Sequence, residues 1–160
     1  MPLDPLAKRL LTMMAAAGPQ ARSRPSVEAR RQSLAKLMQF ARAEAPDVAT
    51  SDGMLTGRAG ELPYRLYTPA SAEEFAPGFV FFHGGGLVAG SIATHDRIAA
   101  ALAHATGCRL VSVEYRLAPE HRFPAAVDDA IAAPEWVARE AASLGIDADR
   151  LVIGGDSAGA

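Results

Sequence analysis

Apolar and polar positions follow two different rhythms along this chain, and the change between them divides it into two regions. Up to residue 45 the apolar residues recur at helical spacing. This spacing predicts one helix capped by Asp4 and stopped at Gly18-Pro19, and a second helix from Ser26 to Ala45. We therefore expect a helical region over residues 1–45 and an α/β region over residues 46–160.

In the second region, short apolar runs alternate with helical stretches. The predicted strands are Leu62–Tyr67, Phe79–Phe82, Leu110–Tyr115 and Leu151–Ile153, with helices over Thr94–Thr106 and Ala125–Leu144 and a surface loop over Ala70–Pro77. Strands that are apolar throughout are buried on both faces, so this order predicts an α/β fold with a mostly parallel sheet and helices on both sides. Pro134 should kink or break the last helix near Ala133.

Composition narrows the function classes. The chain has 160 residues, 49% of them hydrophobic, and a net charge of −2, which suit one globular unit without a general attraction to nucleic acid or anionic membranes. The only cysteine, Cys108, excludes an intrachain disulfide. Residues 8–17 also resemble a short signal peptide, but Asp4 lies in its positively charged region and Thr12 interrupts its apolar run, so we favour the helix. No run is long enough to span a bilayer, and the expected location is the cytoplasm.

A Gly-x-Ser-x-Gly motif follows the last predicted strand. Its serine is Ser157, flanked by Asp156 and Ala158. In isolation this motif is more often a turn, but after an apolar strand it has the form of a nucleophile elbow, in which the next backbone N–H helps to bind an oxyanion. Asp156 is adjacent to the serine and points in another direction, so we expect it to shape the turn rather than to act as a catalytic acid.

A second glycine-rich stretch follows the strand Phe79–Phe82. His83 leads into three successive glycines, Gly84, Gly85 and Gly86. Since glycine has no Cβ, the backbone can approach a ligand and turn its N–H groups inward. One such donor aimed at a developing alkoxide is typically worth ~3 kcal/mol.

The same stretch has an alternative interpretation as a dinucleotide-binding unit. In that reading a helix follows the glycines and Glu114, at the end of the next strand, binds a ribose hydroxyl. However, the spacing is not G-x-G-x-x-G, and the helix is predicted to begin only near Thr94. The sequence therefore favours the oxyanion interpretation.

Four motifs in order give a family resemblance. They are His83-Gly84-Gly85-Gly86 followed by Thr94-His95-Asp96, then Tyr115-Arg116-Leu117-Ala118-Pro119-Glu120, then Phe123-Pro124-Ala125 with Asp128-Asp129, then Gly155-Asp156-Ser157-Ala158-Gly159. Together they resemble the N-terminal half of hormone-sensitive-lipase-type esterases, the bacterial family IV carboxylesterases of the α/β-hydrolase fold. Leu87 departs from the pattern, because the family usually has an aromatic residue there.

The resemblance implies a role for each matched residue. Ser157 would be the nucleophile, His83 a hydrogen-bonded structural member of its loop, and the two N-terminal helices part of a cap. The oxyanion hole would consist of the backbone N–H groups of Gly84, Gly85, Gly86 and Ala158. We also expect Arg116 and Glu120 to form a charge pair that fixes a loop near the site.

The expected function is hydrolysis of short to medium acyl esters through an acyl-enzyme, with no metal or cofactor. In the family the triad acid and base follow the serine, so we expect these 160 residues alone to be nearly inactive, with Ser157 at a fraying end. None of the histidines (His83, His95, His104 and His121) is a good candidate for the base. Two alternatives stay open: a non-catalytic binding module, and an amidase or lactonase on the same elbow. The sequence does not fix the oligomeric state.

Overall fold

Two helices precede a five-stranded sheet. A computed structural model describes residues 3–16, 25–40 and 46–160. Helix α1 is Pro5–Ala16 and helix α2 is Val27–Phe40. Both predicted starts are confirmed, because the Asp4 carboxylate accepts the Leu6 N–H at 2.8 Å and the Ser26 hydroxyl accepts the Ala29 N–H at 3.1 Å. The predicted ends of these helices lie outside the described residues.

The sheet is mixed. Its strands are β1 (Val48–Gly57), β2 (Gly60–Pro69), β3 (Ala76–Phe82), β4 (Arg109–Val113) and β5 (Ile146–Gly155). The spatial order is β1-β2-β4-β3-β5. Strands β4, β3 and β5 run parallel, whereas β2 pairs antiparallel with both β1 and β4. The parallel part therefore contains the strands that lead into both glycine-rich turns.

All four predicted strands are present, and β1 is an additional one that the pattern did not predict. Of its ten residues only Leu55 is buried, so its sequence carries no alternation of apolar and polar positions. It is held by a hairpin with β2, in which Gly57 faces Gly60. Within the predicted loop over residues 70–77, β3 already begins at Ala76, which is fully buried.

One helix covers each face of the sheet, as expected. Helix α3 (Ile92–Thr106) packs through Ala99, Ala100 and Ala103 against Tyr67 and Leu110. On the other face, α4 (Ala125–Arg139) and the segment after it pack in a larger cluster that includes Ala133, Val137, Leu144, Val80 and Val111. Alanines at the helix surface allow this close approach to the strands.

The helix boundaries correct two expectations. Helix α3 begins earlier than Thr94, because Ser91 caps it and exchanges hydrogen bonds with Thr94 in a capping box. Helix α4 runs unbroken through Pro134 and ends at Arg139, so the predicted break and the predicted end at Leu144 are wrong. Pro134 is buried, and its packing stabilises the helix despite the lost N–H. Within the described ranges, no helix has the length and hydropathy needed to cross a bilayer.

Candidate active site

The turn after β5 presents Ser157 in a strained conformation. Ser157 has a φ of 53°, in the left-handed region that non-glycine residues rarely adopt, and residues Ser157–Gly159 form a 3₁₀ turn. The structure thus gives this segment a defined turn geometry, and the fraying expected from the sequence stays a prediction. A Cβ on Gly155 or on Gly159 would collide with the carbonyl oxygen of Phe82. Small residues are thus required where the turn crosses the end of β3.

The Ser157 side chain is exposed. In the described parts of the chain, no hydrogen bond reaches its hydroxyl. The position of the serine side chain is therefore set by the backbone of the turn, and no described residue hydrogen-bonds to its hydroxyl to accept the proton.

The turn after β3 is fixed by His83, which is fully buried. Its ring is stacked on Tyr115 with centroids 4.4 Å apart and on His95 at 5.3 Å. The Tyr115 hydroxyl donates to the His83 carbonyl at 2.6 Å, and His83 Nδ1 lies 2.9 Å from the Gly84 carbonyl. Burial lowers the pKa of His83, which favours the neutral ring, and since a carbonyl can only accept, Nδ1 carries the proton.

Asp156 joins the two turns. Its Oδ1 accepts the Gly84 N–H at 2.8 Å and lies 3.6 Å from His95 Nε2. A Cβ on Gly84 would collide with the Asp156 carboxylate, so the contact requires glycine there. The Gly84 N–H consequently has an acceptor inside the protein.

The next two glycines have free backbone donors. Gly85 and Gly86 have φ values of 133° and 69°. Among the described residues, neither of their N–H groups nor that of Ala158 donates a hydrogen bond. Leu87, where the family pattern has an aromatic residue, follows at a φ of 61° with its side chain partly exposed. The arrangement offers three unpaired N–H groups near Ser157, the chemistry needed to bind an anionic oxygen.

Helix α2 lies over both turns and closes one side of a cleft of about 940 Å³. From the turns the lining residues are Gly84, Gly85, Gly86, Ala89, His95, Asp156 and Ser157, and from the α2 side they are Pro25, Ala29, Arg30, Ser33, Leu34, Leu37 and Met38. The wall from α2 is mainly apolar beyond its first turn. Such a cleft can hold an acyl or alcohol chain next to the serine.

Arg31 fastens this helix to the core. Its Nε donates to the Val88 carbonyl at 2.8 Å, and its two terminal nitrogens donate to the Glu120 carboxylate at 2.9 Å and 2.7 Å. A further bond of 3.3 Å reaches the Ala118 carbonyl. Val88 is the second residue after the three glycines, so a single guanidinium ties α2 to the loop that carries the candidate oxyanion donors.

The charge pair expected between Arg116 and Glu120 does not form. Arg116 instead binds Asp129 on α4, with nitrogen–oxygen distances of 2.6 Å and 2.9 Å. Asp129 is fully buried and also accepts the Arg116 backbone N–H at 2.9 Å. A buried carboxylate needs such a partner, and Glu120 lies near the surface, where Arg31 reaches it.

Sequence reasoning missed Arg31 and the pairing role of Asp129. Asp129 was part of a recognised motif, but its partner could not be read from spacing. Arg31 lies in a helix without any motif, 89 residues before Glu120, and no sequence pattern could have linked them. Only the docking of α2 brings them together.

The dinucleotide interpretation has no support in this geometry. Burial raises the pKa of Glu114, and its carboxylate accepts the Ile92 N–H at 2.7 Å. Glu114 therefore caps the start of α3 instead of facing the glycine-rich turn with a free oxygen.

Comparison with known proteins decides the family. A family model described as the alpha/beta hydrolase fold matches residues 79–160, just over half of the chain. The chain belongs to this family. It is 48% identical over 101 residues to carboxylesterase NlhH of Mycobacterium tuberculosis, covering 62% of this chain and 31% of that protein.

Two longer matches extend the similarity to the N-terminal helices of the chain. The arylesterase of Saccharolobus solfataricus is 37% identical over 160 residues, which cover 99% of this chain and 52% of that protein. The solved structure of a hyperthermophilic esterase from Pyrobaculum calidifontis superposes with a TM-score of 0.88 at 40% identity, over 99% of this chain and 51% of that one. The chain thus spans about half of the length of these two proteins.

Proposed function

We propose that these residues carry the nucleophile and the oxyanion-binding groups of a serine carboxylesterase that cleaves short to medium acyl esters. The observation that carries the proposal is the placement of Ser157. It sits in a left-handed turn at the end of β5, in one cleft with Gly85 and Gly86, whose N–H groups have no acceptor among the described residues. Two relatives are named as a carboxylesterase and an arylesterase, and both names refer to cleavage of an ester bond.

In the proposed reaction Ser157 Oγ attacks the ester carbonyl and loses its proton to a general base. The carbonyl oxygen becomes an alkoxide, which accepts hydrogen bonds from the N–H groups of Gly85, Gly86 and Ala158. Collapse of this intermediate expels the alcohol and leaves an acyl group on the serine, which water then removes. Gly84 was a further candidate donor, but its N–H is held by Asp156, so the proposal gives it a structural role.

The general base is not supplied by the described residues, since no histidine ring there hydrogen-bonds to Ser157. A serine hydroxyl without a base is a weak nucleophile near neutral pH. Residues 1–160 by themselves are therefore expected to show near-background turnover, of the size left by an oxyanion hole alone. The N-terminal region, residues 1–45, would act as a cap over the cleft, and α2 already lines one wall.

The proposal is tested with p-nitrophenyl esters from acetate to decanoate on the native-length protein. We expect hydrolysis of the short and medium esters, its loss in Ser157→Ala, and labelling of Ser157 by a fluorophosphonate. Ser71→Ala is the matched control, because Ser71 is also exposed but lies outside the cleft. Equal rates in Ser157→Ala and the parent protein would refute the role of Ser157.

The same experiment separates the alternatives. Preferential cleavage of p-nitroanilides or lactones over esters would favour the amidase or lactonase interpretation. Absence of both turnover and labelling in the native-length protein would favour a non-catalytic module.

A further inference from the structure

A guanidinium lies directly over the candidate oxyanion loop. Arg30, in the first turn of α2, lines the cleft together with Ser157. Its terminal nitrogen would be 3.3 Å from a Cβ placed on Gly86, and apart from the two chain neighbours of Gly86 no other atom of the described residues lies within 4 Å of that position. The side chain therefore covers the space that the missing Cβ of Gly86 leaves open.

This guanidinium has no partner in the described parts of the chain. The neighbouring Arg31 is fully engaged with Glu120, Val88 and Ala118, whereas the side chain of Arg30 forms no hydrogen bond or ion pair with any described residue. The contrast matters because the bonds of Arg31 fix this turn of α2 over the loop. Arg30 is thus held at the cleft by its neighbour while its own charge stays available to a ligand.

The other charged group of the cleft does not cancel this charge. Asp156 lies on the opposite wall, within no ion-pair distance of Arg30, and its Oδ1 already faces the Gly84 N–H and the His95 ring. The N-terminal end of α2 and the free glycine N–H groups add positive potential beside Arg30. Toward Leu37 and Met38, about two turns further along α2, the wall is apolar.

From this placement we propose that Arg30 is a specificity-determining residue that favours esters whose acyl chain carries a carboxylate. The inference rests on the proposed ester hydrolysis and adds the class of ester to it. The carboxylate would pair with the guanidinium over Gly86, and the remaining apolar part would extend along α2. Arg30 binds the substrate and takes no part in the bond changes.

The test compares two esters that differ in one charge, mono-p-nitrophenyl adipate and its methyl-capped counterpart, on the native-length protein. The ratio of their kcat/KM values is expected to fall about fivefold in Arg30→Gln, mainly through a higher KM for the charged ester. Arg30→Lys should restore most of the ratio. Added NaCl should lower the ratio in the parent protein and leave it unchanged in Arg30→Gln.

Lys36→Gln is the matched control, since Lys36 is an exposed cation of the same helix outside the cleft. An unchanged ratio in Arg30→Gln overturns the inference, and so does an equal loss for both esters, which indicates a structural role. If the parent protein hydrolyses neither ester and Ser157 resists the fluorophosphonate, the proposed function itself fails. The two failures are therefore distinguishable.

Discussion

The turns after β3 and after β5 lie next to each other at the same edge of the sheet, yet the protein holds them differently. The first turn is fixed from inside by side chains: Tyr115 donates to the His83 carbonyl, His83 to the Gly84 carbonyl, and Arg31 to Val88. The second is fixed mainly through its backbone, by the close approach to Phe82 and by the hydrogen bond from the Gly159 N–H to the Asp156 carbonyl at 2.9 Å, while the Asp156 side chain joins it to the first turn. Its central side chain, Ser157, is exposed and unpaired among the described residues.

The difference indicates which part of the proposed reaction these residues would support by themselves. Anion binding depends on backbone donors whose positions are set by local buried contacts, so it can be preorganised here. Reactivity of the serine depends on a proton acceptor, and no described residue provides one. In the proposed reaction, the described residues would therefore supply the oxyanion-binding N–H groups but not the proton acceptor that activates Ser157.

The largest effect is expected where the first turn has no room for a side chain. At Gly85 the φ of 133° and the backbone oxygen of Ala89 both exclude a Cβ, whereas at Gly86 a Cβ would meet only the movable end of Arg30. Gly85→Ala should therefore destabilise the protein by about 3 kcal/mol or more, against about 1–2 kcal/mol for Gly86→Ala. Urea denaturation of both variants measures this difference, and equal losses would contradict the geometry of the turn.

Much of this arrangement could be predicted from the sequence because the determining contacts are local. The strand β3 and its glycines, the elbow around Ser157, and the caps at Asp4 and Ser26 each depend on neighbouring residues. The alternation of strands and helices then predicted the α/β class, which the family match confirms.

What could not be predicted depends on contacts between distant segments. Strand β1 is mostly exposed, so its hydrophobic pattern was absent, and only pairing with β2 makes it a strand. Arg116 and Glu120 do not pair with each other as expected. Arg116 pairs with the buried Asp129, and Glu120 pairs with Arg31, because α2 docks beside it. Helix α4 continues through Pro134 since packing against the sheet outweighs one missing hydrogen bond.

A smaller effect is expected at the link between the two turns. Asp156→Ala would leave the buried Gly84 N–H without its acceptor, at a cost of about 1–3 kcal/mol in the free energy of unfolding. Asp156→Asn keeps a carbonyl oxygen in that place and should lose clearly less. Asp149→Ala, at an exposed aspartate outside both turns, serves as the control in urea denaturation. If the Asn variant lost as much as the Ala variant, charge and not the hydrogen bond would join the turns.

The smallest effect concerns the attachment of α2 to the first turn, and it depends on pH. The hydrogen bonds from Arg31 lower the pKa of Glu120 from 4.5 to about 2. Because the folded-state pKa lies below the unfolded one, the contribution of this pair to stability is present above pH 4.5 and is lost as the pH falls toward 2. Glu120→Gln should therefore lower the urea midpoint more at about pH 5 than at about pH 3. Glu135→Gln, on the exposed side of α4, should show no such difference. A Glu120→Gln effect of the same size at both pH values would mean that the carboxylate charge does not hold α2 over the cleft.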